Sequence, residues 1–188
     1  SGATIGRVLT EHGFIVDIID KRDHIAGNAF DYIHETGIRI HKYGPHIFHT
    51  SNQKVINFLS QFTEWKNYKH KAKALLSNGE YVTFPPNLET EKILGAENIF
   101  NILFKPYSEK MWGMNISELD PSVIKRVKSR NDMNEIYFPN ETFQKMPKLG
   151  FTNMFKNILD HENINISLKT PYSRDMEKEY LKIFNSMP

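Results

Sequence analysis

Apolar positions at helical spacing open the chain. Gly2, Ala3, Ile5, Val8 and Leu9 form one stripe, and Gly13 follows where a helix C-cap is expected. Next comes FIVDIID (residues 14–20), a short apolar run rich in β-branched residues that closes on an acid, as buried parallel strands do. Helix, strand and terminal Asp20 make the second half of a βαβ unit. Counting back about 18 residues from Asp20 lands on Gly2, which fits the third glycine of a GxGxxG turn. A generic helix–strand pair is the competing reading of this half-motif.

Further along, KAKALLSNGEYVTFPPN (71–87) sets Asn78-Gly79 between two alternating apolar runs and predicts a hairpin. After Pro85 and Pro86 the pattern turns helical over 88–104, through Leu88, Ile93, Leu94, Ile99, Ile102 and Leu103. Asp120-Pro121 starts another helix. FTNMFKNILD (151–160) is amphipathic, NINISL (163–168) reads as a strand, and LKIFNS (181–186) as a final strand.

Composition narrows the picture. With 188 residues, 39% hydrophobic and 12% aromatic, the chain can bury one sizeable core or two small ones. No apolar run approaches the roughly 20 residues needed to cross a bilayer, and SGATIGRVLTEHG lacks the features of a signal peptide. The expectation is a cytoplasmic protein with no membrane partner. The absence of cysteine removes disulfides and thiolate chemistry. A net charge of +2 argues against a nucleic-acid partner. The local cluster Lys125, Arg126, Lys128 and Arg130 reads as a solvated basic face or as a site for a phosphorylated ligand.

Two constellations could carry chemistry. IHKYGPHIFHT (40–50) places His41, Tyr43, His46, Phe48 and His49 around a Gly44-Pro45 turn. It contains no acid, and on an extended strand His41 and His46 would face opposite sides, so no metal is expected; structural histidines and contact with a flat cofactor ring stay open. FKPYSEKMWG (104–113) sets Tyr107 and Trp112 about one helical turn apart beside Lys105 and Lys110, as core residues or as a stacking platform for a nucleobase. Arg130 suits bidentate contact with a diphosphate.

Taken together, IIDKRDHIAGNAFD (18–31), IHKYGPHIFHT, PYSEKMWG (106–113) and IKRVKSRNDMNEIYF (124–138) resemble, in order and spacing, stretches of the UDP-galactopyranose mutases. The resemblance runs almost the whole chain, to KIFNSMP (182–188). It implies an α/β fold: an FAD-binding Rossmann-like domain over 1–64 and 151–188, interrupted by a helical domain over 88–128 and by parts of an antiparallel sheet domain over 65–87 and 129–150. It also implies a truncated chain, about the first half of a usual mutase, without the opening strand and the first two glycines of GxGxxG.

By the same resemblance, Gly2, Asp20, Lys21, Arg22, Asn28, His41, Gly44 and His46 would bind FAD, with His46 beside the reactive nitrogen of the isoalloxazine. Phe84, Tyr107, Trp112, Arg130 and Tyr137 would bind the UDP-sugar, and His46 and Arg130 would be the catalytic pair. The implied reaction converts UDP-galactopyranose to UDP-galactofuranose, with reduced FAD as nucleophile and no net redox change. A homodimer is a further expectation. Ala26 stands for the first glycine of the usual GGN, Phe143 for a tyrosine, and Ser186 and Met187 for Thr-Gly, which points to a related UDP-sugar as an alternative substrate. Loss of a buried strand, at about 1.5–3 kcal/mol per apolar side chain, leads us to expect weak FAD binding and no turnover from these 188 residues. Three readings compete: a mutase-family enzyme, a non-catalytic remnant or nucleotide-sugar binding module, and a general FAD oxidoreductase.

Overall fold

The computed structural model describes residues 1–124 and 129–186, and it divides into two compact units, Ser1–Tyr68 with Thr142–Pro188, and Lys69–Glu141. Met187 and the basic residues Lys125, Arg126 and Lys128 lie outside the described residues.

The first unit begins with helix α1 (Gly2–Glu11), where the stripe predicts it. The amides of His12 and Gly13 return to the carbonyls of Leu9 and Thr10, and Gly13, at φ +85°, turns the chain out of the helix. Strand β1 (Val16–Asp20) follows. A Cβ at Gly6 would fall 2.8 Å from Ile18 Cδ1, so this glycine lets α1 lie close against β1. Strands β2 (Asp31–Ile33) and β3 (Arg39–His41) form a hairpin in the register Asp31↔His41, and β4 (Phe48–Thr50), α2 (Gln53–Leu59) and β5 (Trp65–Asn67) complete this stretch. Asn52 caps α2, its side chain accepting from the amides of Lys54 and Val55.

In the second unit, β6 (Ala72–Leu75) and β7 (Tyr81–Phe84) pair antiparallel around the expected turn, with Gly79 at φ +88°. Helix α3 (Leu88–Leu94) is capped by Asn87, whose side chain accepts from the Thr90 amide. The helix predicted over 88–104 is not continuous. Gly95 adopts φ +78°, a conformation no helix interior contains, and Asn98 Nδ2 donates to the Leu94 carbonyl that the break frees. Hydrophobic periodicity cannot register such a break, because Ile99 and Leu103 still return to the same core with Val82. The chain resumes with a π turn, Phe100–Phe104, in which the Lys105 amide reaches back five residues to Phe100, and runs on into α4 (Lys105–Trp112). Asp120 opens α5 (Pro121–Ile124), accepting from the Ser122 amide.

On its return to the first unit, the chain forms β8 (Phe143–Pro147), α6 (Phe151–Leu159) and β9 (Ile164–Leu168). β9 pairs parallel with β1, Val16↔Ile164 to Asp20↔Leu168, while β8 lies between β4 and β5 in an antiparallel sheet. Phe151, Met154, Ile158 and Leu159 recur at helical spacing and are buried; the first three join Phe62 in the core. Phe48 stacks on Trp65 at 5.0 Å, and Phe143 meets both edge-on. The strand expected at LKIFNS is absent: residues 181–186 carry no regular structure, and no described strand pairs with them. An apolar run becomes a strand only when its backbone pairs with a ladder, and these residues join none of the described sheets. No helix among the described residues is long and apolar enough to cross a membrane.

Candidate functional site

In the first unit, the expected cofactor residues gather at the C-terminal end of β1 and in the turns that follow. Asp20 closes the strand; its Oδ1 accepts from the Arg22 amide at 2.9 Å, and its Oδ2 has no partner among the described residues. Arg22 Nη2 donates to Asn28 Oδ1 at 2.8 Å, which draws the loop from Lys21 to Asn28 together. Ala26, in the place of a glycine, adopts φ +70°, and Gly27 follows at φ +55°. At the start of α1, Ser1 is the N-cap and makes no side-chain bond, so first-turn amides stay available to an outside acceptor. A Cβ at Gly2 would fall 3.2 Å from Ser186 Oγ, so the chain end and the helix start meet there.

The histidines of IHKYGPHIFHT come together. β3 ends at His41, the chain turns at Gly44 with φ +97°, and the His41 and His46 rings lie near-parallel at 6.4 Å. The His46 amide donates to His41 Nδ1 at 3.1 Å, and His46 Nδ1 bonds the Gly44 carbonyl at 2.9 Å. The expectation that these two face opposite ways therefore fails, because a turn and not a strand joins them. The described residues include no group of three or more His, Asp or Glu able to hold a metal. Burial pushes the His41 imidazole below its ordinary value; Asp31 opposes this, while His46 and Arg39 reinforce it.

Phe151, at the start of α6, stands edge-on to both rings, at 5.9 and 6.3 Å. Its position depends on residues the sequence reading missed. The Asp31 carboxylate, with no exposed side-chain surface, accepts from the amides of Phe151 and Thr152 at 2.8 and 2.9 Å and lies 3.5 Å from Arg39 Nη1. It caps α6 from another strand. Gly150, at φ +90°, must be glycine: a Cβ there would fall 2.0 Å from Arg39 Nη1 and 2.5 Å from Asp31 Oδ2. The stretch KLGFT is the only sequence signal for this arrangement; nothing local marks Asp31.

In the second unit, Phe84 is the centre of the expected substrate group. Tyr107 lies 6.0 Å away and Tyr137 6.4 Å away between ring centroids. Arg130 joins them through the backbone, its guanidinium donating to the carbonyls of Pro85, Asn134 and Ile136, while its buried Nε has no partner among the described residues. The arginine expected at a diphosphate thus ties down its own loop in this structure. Tyr107 and Trp112 are 52% and 54% exposed, which removes the core reading of the pair. Trp112, at the end of α4, has no ring partner among the described residues. Glu135 bridges Lys71 and Lys73 of the hairpin, and these bonds hold its carboxyl down at about 2.

Comparison with known proteins gives a consistent picture. The sequence profile of the UDP-galactopyranose mutase family matches residues 102–188, and that of an NAD(P)-binding Rossmann-like domain matches residues 1–62. The chain is 37% identical to a probable UDP-galactopyranose mutase of Klebsiella pneumoniae, over all of this chain and 58% of that protein. It is 34% identical to the UDP-galactopyranose mutase of Mycoplasma pneumoniae, over 91% of this chain and 53% of that one, and 34% identical to a dTDP-fucopyranose mutase of Escherichia coli, over 96% and 57%. It therefore spans between half and three-fifths of the length of these relatives. A crystal structure of reduced UDP-galactopyranose mutase superposes with a TM-score of 0.57 over 87% of this chain and 46% of that one; at 15% identity this bears on the fold alone. The alignment with the Klebsiella protein extends over 225 positions against 188 in this chain, so that relative carries insertions this chain lacks. With a dinucleotide-binding Rossmann-like domain first and the mutase profile after it, the chain belongs to the UDP-galactopyranose mutase family.

Proposed function

We propose that the protein is a flavin-dependent nucleotide-sugar mutase, interconverting the pyranose and furanose forms of UDP-galactose. The observation that carries this reading is the likeness to the Klebsiella mutase, which covers the whole of this chain and so includes Asp20, the Arg22–Asn28 pair and the His41–His46 turn that the fold gathers. FAD fits the groups present. The unpartnered Asp20 Oδ2 suits a ribose hydroxyl, and the open amides of α1 suit a pyrophosphate. Arg22 and Asn28, with Lys21, would line the dinucleotide, and His41, Gly44 and His46 would present a flat surface and backbone to the flavin ring.

When bound and reduced, FAD supplies a nucleophilic nitrogen without net redox change. The chain's own part is to position and to neutralise charge. Phe84, Tyr107, Tyr137 and Trp112 offer faces for the uracil, and Arg130 a cation for the diphosphate, provided it releases the carbonyls it now holds. The dTDP-fucopyranose mutase among the relatives differs in base and in sugar, so the ligand is part of the test.

Titrating FAD, UDP-galactose and dTDP-fucose separately into the chain, with flavin fluorescence and calorimetry as readouts, tests the reading. Saturable binding of FAD and of one of the two nucleotide sugars is expected. A second reading, a nucleotide-sugar binding module without catalysis, draws on the chain's half-length and predicts nucleotide-sugar binding with no flavin. Flavin binding with neither sugar would return the chain to a general flavoprotein domain and defeat the mutase reading.

A further inference from the structure

One buried histidine in the first unit has no part in the site as described so far. His24 is 8% exposed and lies against Phe30, with ring centroids 4.0 Å apart and the planes 27° from parallel. Its Nδ1 is 2.8 Å from the Ile25 carbonyl, which can only accept, so Nδ1 carries the hydrogen. Its Nε2 is 2.7 Å from the Tyr43 hydroxyl, and with the hydrogen on Nδ1 this nitrogen accepts a hydrogen bond from the tyrosine O–H. The Tyr43 ring lies under the Arg22 guanidinium at 5.0 Å, and Arg22 in turn bonds Asn28. Lys42 Nζ hangs over both Phe30 and Tyr43, at 5.8 and 5.7 Å.

This chain of contacts links two segments with no strand pairing between them. One is the loop from Lys21 to Asn28; the other is the turn that runs from Lys42 through Gly44 to His46. A tie between loops matters more than a tie within one, because each loop alone retains its own freedom. The Tyr43 hydroxyl is a two-way fastener: it is fixed by His24, and its ring then fixes the plane on which Arg22 rests.

We propose that His24 is a positioning residue that locks the Arg22–Asn28 loop onto the His46 turn through Tyr43, so that the two faces offered to a dinucleotide keep one spacing. The inference rests on the flavin reading above. It gives His24 no contact with the cofactor and no share in proton transfer.

The test uses the full chain, FAD as the probe, and three variants. Tyr43→Phe removes one hydrogen bond and keeps the ring under Arg22. His24→Phe keeps a flat ring on Phe30 and removes both bonds. The third variant combines the two. Tyr43→Phe should weaken FAD binding roughly tenfold, and the double variant should bind no more weakly than His24→Phe, because the shared bond is lost once. His24→Gln, whose amide can again meet the Tyr43 hydroxyl, should recover part of the loss. Long-range nitrogen–proton NMR of the chain without FAD should show His24 Nδ1 protonated and Nε2 bare, with the Nε2 signal shifting in Tyr43→Phe. Wild-type binding of FAD that both single variants match, losses that multiply in the double variant, or the opposite tautomer would each overturn the proposal alone. A wild-type chain that leaves flavin fluorescence unchanged at every concentration overturns the flavin reading and the proposal with it.

Discussion

Two carboxylates, one in each unit, join segments distant in sequence, and they do so under opposite conditions. Asp31 is sealed from solvent, and it meets the backbone of residues 120 and 121 positions further on. Glu135 keeps a third of its side chain exposed while it spans Lys71 and Lys73. Geometry alone would make Glu135 the stronger tie, with contacts of 2.7 and 2.5 Å against 3.5 Å for the Asp31–Arg39 pair. Burial reverses the order. Water competes for an exposed ion pair and screens it, whereas a buried carboxylate stripped of its donors has nowhere to turn. The histidine turn is therefore held by a tie that cannot relax, and the loop of Arg130 by one that can.

The largest effect that would sharpen this contrast is expected at Asp31. Asp31→Ala removes the cap of α6 and leaves Arg39 without its partner, at a cost of about 3 kcal/mol. Gly150→Ala should be comparable, through a different cause, steric overlap at positive φ. Urea unfolding followed by Trp65 fluorescence in a Trp112→Phe background reads the first unit; a cost below roughly 1 kcal/mol for both variants would break the comparison.

Next comes the exposed face. Tyr107→Ala should reduce UDP affinity by about 1–3 kcal/mol with the Trp65 unfolding midpoint unchanged; calorimetric titration with UDP checks it. Ala26→Gly follows, and it should stabilise the first unit by up to about 1 kcal/mol, since glycine accepts φ +70° without the penalty a Cβ brings. Equal or lower stability would mean that the greater freedom of glycine in the unfolded chain dominates.

Glu135→Gln is the smallest. At neutral pH it should speed amide exchange of the Ala72–Phe84 hairpin only slightly, because an exposed pair stabilises little. The difference belongs to acid: a carboxyl held at about 2 against an ordinary 4.5 contributes stability that is complete above the ordinary value and is lost as pH falls toward 2. The hairpin of the wild type should therefore lose protection over that window and the variant should not. A variant whose hairpin opened fully at pH 7 would show that exposure had not weakened this pair.

These outcomes also bear on how much a chain discloses before it is folded. The first helix, the Asn78-Gly79 hairpin, the helix over 151–159 and the strand over 164–168 were all readable, because each announces itself within a few residues by period or turn chemistry. Gly95 was not, since periodicity counts side chains on a face and is blind to backbone sign. LKIFNS has a strand's composition without a strand's partner, and the partner is not written in the segment. Among the site residues, the Arg22–Asn28 contact is not legible in the sequence although both lie in one short stretch, and an extended chain across Gly44 sets His41 and His46 apart where the turn brings them together. Asp31 was invisible for the plainest reason: its donors are the amides of residues whose names do not matter, on a helix more than half the chain away.

The π turn at Phe100–Phe104 carries one residue more than an α-helical path would need. Deleting one residue there would be the shortest route back to an ordinary helix, and it would wheel everything downstream by about 100°. Tyr107 would then leave the side of Phe84 although its own code was untouched. In this part of the protein, aim is stored as a count of residues, and a lineage can redirect the ring by gaining or losing one codon.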